Sequence, residues 1–106
     1  LELAAERIAR AEAVTTVEAS GRIGQRVRVA GARMNSRRSR TAKGEPMMVL
    51  TLEALEGLLD VIFLPAVYRR FRNALSGAKL MIVEGIIEYR EEREEPVLRA
   101  ERISPI

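Results

Sequence analysis

The residues in this sequence with the clearest chemistry are basic, and they are concentrated in one stretch. Residues 22 to 43 contain no acidic side chain and eight basic ones: Arg22, Arg26, Arg28, Arg33, Arg37, Arg38, Arg40 and Lys43. Guanidinium and ammonium groups bind phosphates through charge and hydrogen bonds, so an acid-free run of them attracts polyanions. The stretch predicts a polyanion partner. The alternative is a solvated surface whose charge is offset by the glutamates between Glu84 and Glu101.

Other kinds of chemistry are missing from the composition. The chain has no cysteine and no histidine, which excludes disulfides, thiolate–zinc sites, thiol catalysis and histidine-based hydrolase triads. Carboxylates such as Glu53, Glu56 and Asp60 have no further ligands at a convincing spacing. We therefore expect no catalytic residue, no metal, no cofactor and no small-molecule substrate, so this domain alone is not expected to be an enzyme.

Length and composition indicate one globular domain. The chain has 106 residues, of which 47% are apolar and 31% charged, and this balance is typical of a folded protein with a single core. No apolar run is long enough to span a membrane, and the first residues carry no secretory signal pattern. We expect a cytoplasmic protein without a membrane partner. Because the sequence begins with leucine, we also expect it to be a segment of a longer chain.

The elements that must position the basic residues begin after a helical segment. Helical spacing over 1–13 and a capping box at Thr15–Glu18 predict an N-terminal helical segment over 1–23, followed by a separate domain over 24–106. From Arg26 the period changes to two, which predicts a strand with its valines on one face. A bulge at Gly31 would then turn Met34 into the core and Arg33 to solvent.

The remaining sequence predicts four more strands, with one helix in the middle of them. The polar residues 35–46 predict a hairpin loop, followed by strands over 47–53 and 59–63 and a helix that starts at Pro65 and stops at Ser76–Gly77. Two more strands follow over 80–89 and from Val97 to about Ile103, joined by a charged tip over 90–95, with a possible bulge at Gly85. The predicted core residues of the second strand, third strand and helix are Met48, Leu50, Leu52, Leu59, Val61, Phe63, Val67, Phe71, Ala74 and Leu75.

This order of elements predicts the fold class. Five strands around one small core, with a helix between strands 3 and 4, form an all-β, five-stranded OB-fold Greek-key barrel. Such barrels bind oligonucleotides with the loops between strands 1 and 2 and between strands 4 and 5. In this sequence the first of these loops is basic, whereas the second is net acidic and would repel phosphates.

Several segments carry a family resemblance. They are Arg26–Gly31, Thr41–Gly44, Leu50–Glu53, Val61–Pro65 and Leu80–Gly85. Together they resemble the OB-fold domain near the C-terminus of bacterial DNA polymerase III alpha subunits, including the error-prone relatives. The resemblance covers about residues 24–103. It implies single-stranded DNA binding within a parent chain that is a DNA-directed DNA polymerase, with the remaining polymerase domains as further partners.

The candidate nucleic-acid-binding residues follow from these two lines of reasoning. Arg37, Arg38 and Arg40, in the middle of the predicted loop, are expected to project furthest and to contribute most. Tyr89 is the one aromatic residue expected to stack on a base, because Phe63 and Phe71 are expected in the core. The complete candidate set is Arg28, Arg33, Arg37, Arg38, Arg40, Lys43 and Tyr89.

Two alternatives remain open. The basic loop and the predicted helix Leu1–Ala13 could instead dock onto a neighbouring domain or subunit of the replication machinery, which would make this a structural or interaction domain. The helix arginines Arg69, Arg70 and Arg72 form a second basic patch, which we interpret as the solvated face of an amphipathic helix. The sequence does not distinguish DNA from RNA, because no residue identifies a contact to the sugar hydroxyl.

Overall fold

The fold is a closed five-stranded barrel with one helix against it. The computed structural model describes residues 21–54, 57–77, 79–91 and 94–105, so most of the predicted N-terminal helical segment lies outside the described residues and the domain boundary stays a prediction. The elements in chain order are β1 (Arg26–Arg40), β2 (Pro46–Ala54), β3 (Gly57–Phe63), α1 (Pro65–Gly77), β4 (Leu80–Arg90) and β5 (Glu95–Pro105).

The order of strands around the barrel is that of the predicted fold class. It is β1-β2-β3-β5-β4, with β3 and β5 parallel and every other neighbouring pair antiparallel. The helix lies between β3 and β4 in the chain, as the sequence predicts. The expected OB-fold is therefore confirmed. Within the described residues, no helix has the length and apolar character needed to cross a membrane.

The core follows the alternation in the sequence. Leu50 and Leu52 of β2, and Val61 and Phe63 of β3, are fully buried because every second side chain of a strand points into the barrel. The helix closes this core with Leu75, which is fully buried, and with Tyr68, Val67, Phe71 and Ala74 packed beside it. The predicted helix stripe and the inward faces of strands 2 and 3 are confirmed.

The first strand is longer than predicted. β1 runs to Arg40 and keeps a regular ladder with β2, in which Arg37 pairs with Val49 and Arg40 pairs with Pro46. Only residues 41–45 connect the two strands. The prediction of a loop over 35–46 was wrong because polar composition was taken as a loop signal, whereas the backbone of β2 pairs with these residues whatever their side chains are.

The bulge in β1 also lies elsewhere. The ladder with β2 shifts between Arg33 and Asn35, while Gly31 pairs regularly with Met81. Met34 is the extra residue of this irregularity and is 60% exposed, so its predicted place in the core was wrong. Arg33 pairs with Leu52 and is half-buried rather than turned to solvent.

The second predicted irregularity is confirmed. The β4–β5 ladder shifts between Glu84 and Gly85, where Gly85 is buried. A side-chain carbon at Gly85 would collide with the backbone carbonyl of Arg99 on β5. Glycine is needed here because the two backbones approach closely.

Candidate nucleic-acid interface

The part of β1 beyond Ala32 leaves the barrel wall. From Arg26 to Ala32, β1 pairs with β4; Ala32 also pairs with β2, and the residues of β1 after Ala32 pair with β2 alone. We call residues 33–45, which are this part of β1 and its turn, the basic hairpin. Its side chains from Met34 to Arg40 are all exposed. A two-stranded ribbon of this kind presents side chains on both of its faces.

The basic hairpin and the helix enclose a cleft. The cavity has a volume of about 320 Å³, and four arginines line it: Arg38 and Arg40 from β1, and Arg69 and Arg72 from α1. Ser39, Pro46 and Tyr68 complete the described lining, which includes no carboxylate. We call this cavity the arginine cleft.

The topology explains why these four arginines meet. Arg38 pairs with Met48 on β2, and Met48 pairs with Phe63 at the end of β3. Since α1 starts two residues after Phe63, the helix begins beside the ribbon. Arg69 and Arg72 are three residues apart and therefore lie on one side of the helix.

The helix arginines were interpreted from the sequence as a solvated face, and the structure separates them. Arg69 and Arg72 line the arginine cleft, whereas the guanidinium of Arg70 lies 5.3 Å from the centre of the Phe71 ring. The three-residue spacing in the sequence placed Arg69 and Arg72 together. That this side of the helix faces β1 follows only from the barrel topology.

The turn of the basic hairpin is closed by its own hydrogen bonds. The Thr41 amide donates to the Glu45 carbonyl at 2.9 Å, and the Gly44 amide donates to the Thr41 carbonyl at 2.9 Å. The Arg40 guanidinium donates to the Gly44 carbonyl at 2.8 Å. Lys43 is exposed at the tip of this turn. These bonds fix the turn before any ligand arrives.

Arg33 has a different environment from the other candidates on the hairpin. Its guanidinium donates to the Leu75 carbonyl in the last turn of α1, and its backbone amide donates to the Lys79 carbonyl at 2.7 Å. A cation at a helix C-terminus satisfies free carbonyls and interacts favourably with the helix dipole. Arg33 therefore fastens the base of the basic hairpin to the end of the helix.

The arginines at the start of β1 are paired with carboxylates. The Arg26 guanidinium lies 2.9 Å from a carboxylate oxygen of Glu101 on β5, and that of Arg28 lies 2.8 Å from one of Glu84 on β4. The hydrogen bond from Arg26 lowers the pKa of Glu101, and the same bond raises the pKa of Arg26. Of these two arginines, Arg28 belongs to the candidate set.

Tyr89 lies far along the barrel from the arginine cleft. It is 50% exposed near the end of β4, where it pairs with Pro96. That end of β4 lies beside the start of β1, because Arg26 pairs with Ile86. The structure thus brings Arg38, Arg40 and two helix arginines together, and leaves Tyr89 at the opposite end of β1.

Comparison with known proteins finds relatives among the error-prone DNA polymerases. The chain is 36% identical over 85 residues to an error-prone DNA polymerase of Rhodopseudomonas palustris, an alignment that covers 80% of this chain and 7% of that protein. Over this alignment the chain is homologous to a small segment of the error-prone DNA polymerases. This confirms the resemblance to the polymerase III alpha group. The chain spans about 7% of the length of this relative, so it corresponds to a small part of such a polymerase. No protein-family model matches the chain.

Solved structures of other proteins have the same barrel fold. An asparaginyl-tRNA synthetase from Pyrococcus horikoshii superposes with a TM-score of 0.70 at 23% identity, over 90% of this chain and 23% of that one. A putative nucleic acid-binding lipoprotein from Klebsiella pneumoniae superposes with a TM-score of 0.63 at 16% identity, over 92% and 95% of the two chains. At these identities the likeness concerns the fold.

Proposed function

We propose that this domain binds single-stranded DNA for an error-prone polymerase and holds the strand along the basic hairpin. The observation that carries the proposal is the distribution of partners among the arginines. Within the described residues, Arg37 and Arg38 on the hairpin have no carboxylate partner, whereas Arg26 and Arg28 are ion-paired. An unpaired guanidinium keeps its full charge and its donors available for phosphate.

The family supports DNA as the polyanion. The relative reported above is an error-prone DNA polymerase, and one protein of similar fold is described as nucleic acid-binding. In this proposal the parent chain synthesises DNA in the cytoplasm, and its other domains supply the catalytic residues. This domain contributes affinity for the strand near the template path and carries out no bond-breaking step.

The expected binding is electrostatic and tolerant of sequence. Proteins that bind single strands tightly add aromatic platforms, each worth about 1–3 kcal/mol per stacked base. Phe63 is fully buried and Tyr68 is 5% exposed, so neither presents a ring to a strand. Tyr89 stays a candidate for stacking on a strand that extends along the whole length of β1. The affinity should come mainly from phosphate contacts and should fall steeply as salt is added.

Fluorescence anisotropy with a labelled 20-nucleotide oligothymidylate at low and physiological salt tests the proposal. The variant Arg37→Ala/Arg38→Ala/Arg40→Ala should bind more weakly, with a salt slope flattened by about 0.7 for each phosphate that the variant no longer neutralises. The control Arg26→Ala/Arg70→Ala/Arg102→Ala removes the same charge elsewhere on β1, α1 and β5 and should reduce the affinity much less. Circular dichroism should show that both variants fold.

Two results would overturn the proposal. The first is undetectable binding of the oligonucleotide by the parent chain at low salt. The second is an equal loss of affinity in the hairpin variant and in its control, since that would reflect net charge alone. A basic hairpin that docks onto a neighbouring polymerase domain would give the first result.

A further inference from the structure

We infer that the arginine cleft is a discrete phosphate site, which grips two neighbouring phosphates of a bound strand between the basic hairpin and α1. The inference rests on the proposed function for the identity of the strand. It adds Arg69 and Arg72 to the interface, which the sequence had placed on a solvated face. It also distinguishes a cleft with two basic walls from a single basic surface.

The charge of the cleft is the first argument. Arg38, Arg40, Arg69 and Arg72 line one cavity, and the described lining holds no carboxylate to offset them. Like charges held close together repel one another, so the free protein is under electrostatic strain that a bound anion relieves. Guanidinium groups suit phosphate, because their planar fork donates two parallel hydrogen bonds to its oxygens.

The geometry of the two walls is the second argument. Arg38 and Arg40 are two residues apart on β1, which places them roughly 6 to 7 Å apart on the same side of the strand. Arg69 and Arg72, three apart on α1, have Cβ atoms about 5–6 Å apart. Each wall therefore offers two guanidiniums at successive positions, which suits two successive phosphates between the walls. The cavity volume of about 320 Å³ is that of a small-ligand site.

The lining also indicates what the cleft does not recognise. Tyr68 contributes to the lining but is only 5% exposed, so it offers no ring face for a base. The other described lining residues, Ser39 and Pro46, are not aromatic. Recognition in the cleft is therefore of phosphate groups alone, and the bases of the strand remain outside it.

Variants on the helix test the cleft separately from the hairpin. With the labelled oligothymidylate, Arg69→Ala/Arg72→Ala should raise Kd by about fivefold for each phosphate no longer neutralised at 0.1 M salt, the value that a slope of about 0.7 gives relative to 1 M salt. The control Arg70→Ala/Arg102→Ala removes the same net charge from α1 and β5, outside the described lining. It should change Kd by less than half as much on a logarithmic scale. Equal increases in Kd for the two variants would overturn the inference.

A strand-free probe separates this inference from the proposed function. Inorganic tripolyphosphate, followed by isothermal titration calorimetry, should bind the parent chain and the Arg70→Ala/Arg102→Ala control, and should fail to bind Arg69→Ala/Arg72→Ala. It should also compete with the oligonucleotide. If the parent chain binds the oligonucleotide but tripolyphosphate neither binds nor competes, the cleft is not a phosphate site, although the hairpin still binds DNA. If tripolyphosphate binds through the helix arginines and the oligonucleotide does not bind, the phosphate site stands and its ligand is a free polyphosphate.

Discussion

The two halves of β1 use the same residue type for different purposes. In the first half, Arg26 and Arg28 point away from the core and meet Glu101 and Glu84 on neighbouring strands. In the second half, Arg38 and Arg40 line a cleft whose other cations come from the helix. The difference arises from the topology, because the first half has β4 and β5 nearby with their glutamates, and the second half pairs only with β2. Arginine on this strand gains its role from what the barrel places opposite to it.

The backbones of the two regions differ as well. Around Gly85 the β4 backbone is pressed against that of β5, whereas the turn of the basic hairpin around Gly44 has open space at the position of a side chain. Added volume at Gly85 therefore meets backbone, whereas at Gly44 a side chain would have room and only the positive φ of 82° favours glycine. Stability and binding should respond to different substitutions, and the following predictions test that division, starting with the largest expected effect.

The largest effect is expected for Gly85→Ala. The added methyl group would collide with the Arg99 carbonyl, a backbone group that moves only if the β4–β5 ladder moves. Overpacking of this kind costs about 3 kcal/mol or more in the free energy of unfolding. Urea denaturation should show this decrease, and the remaining folded protein should still bind the oligonucleotide. A decrease under 0.5 kcal/mol, on the order of a surface substitution, would contradict the close approach.

The fold was more predictable than this close approach of two backbones. The alternation of Leu50 with Leu52 and of Val61 with Phe63 predicts inward faces, since a period of two has one solution when one face is buried. Gly85 was recognised as a bulge because glycine inside an apolar strand has few other uses. At Gly31 the same rule failed, because the shift falls at Met34, where the strand changes its partner from β4 to β2 alone. Local sequence does not carry information about that change.

Of the two walls of the arginine cleft, only the wall formed by β1 could be predicted from the sequence. The acid-free run drew attention to Arg38 and Arg40, whose position on a paired strand rather than in a loop had to come from the structure. Arg69 and Arg72 lie about thirty residues further along the chain, and only the path of β3 into α1 brings them to the cleft. Arg33 was missed as a helix-terminus contact because its partner is a backbone carbonyl, which no residue type announces.

An intermediate effect on affinity is expected when an acidic residue is placed in the second half of β1. Ser39→Glu puts a carboxylate at an exposed strand position between Arg38 and Arg40, at the edge of the arginine cleft, so stability should change little. Affinity for the oligonucleotide should fall by about fivefold at 0.1 M salt, the equivalent of one phosphate contact. The matched control is Ser104→Glu, which makes the same charge change at an exposed position on β5. Similar Kd values for the two variants would contradict this prediction, because they would show that affinity depends on the total charge and not on where the added carboxylate lies.

The smallest effect is expected for Glu101→Gln, which removes the ion-pair partner of Arg26 in the first half of β1. The pKa of Glu101 is lowered mainly by its hydrogen bond with Arg26, so this carboxylate stabilises the fold at pH values above its unfolded-state pKa. That contribution disappears as the pH falls through the lower pKa of the folded state. The variant should therefore have a slightly lower unfolding temperature than the parent at pH 7, and the difference should vanish in acid below that pKa. Added salt should reduce it, because the pair is exposed.

The Glu101→Gln variant also tests whether ion pairing with a carboxylate prevents an arginine from binding the DNA strand. If Glu101 neutralises Arg26, the Glu101→Gln variant should bind the oligonucleotide more tightly. The increase in affinity should stay below the value of about fivefold for a full phosphate contact, because Glu84 still attracts Arg26. The double variant Arg26→Gln/Glu101→Gln should return to the affinity of the parent. If the double variant retains the increase, the tighter binding comes from removing a negative charge anywhere on the barrel. The contrast between the two halves of β1 would then rest on distance from the strand and not on pairing.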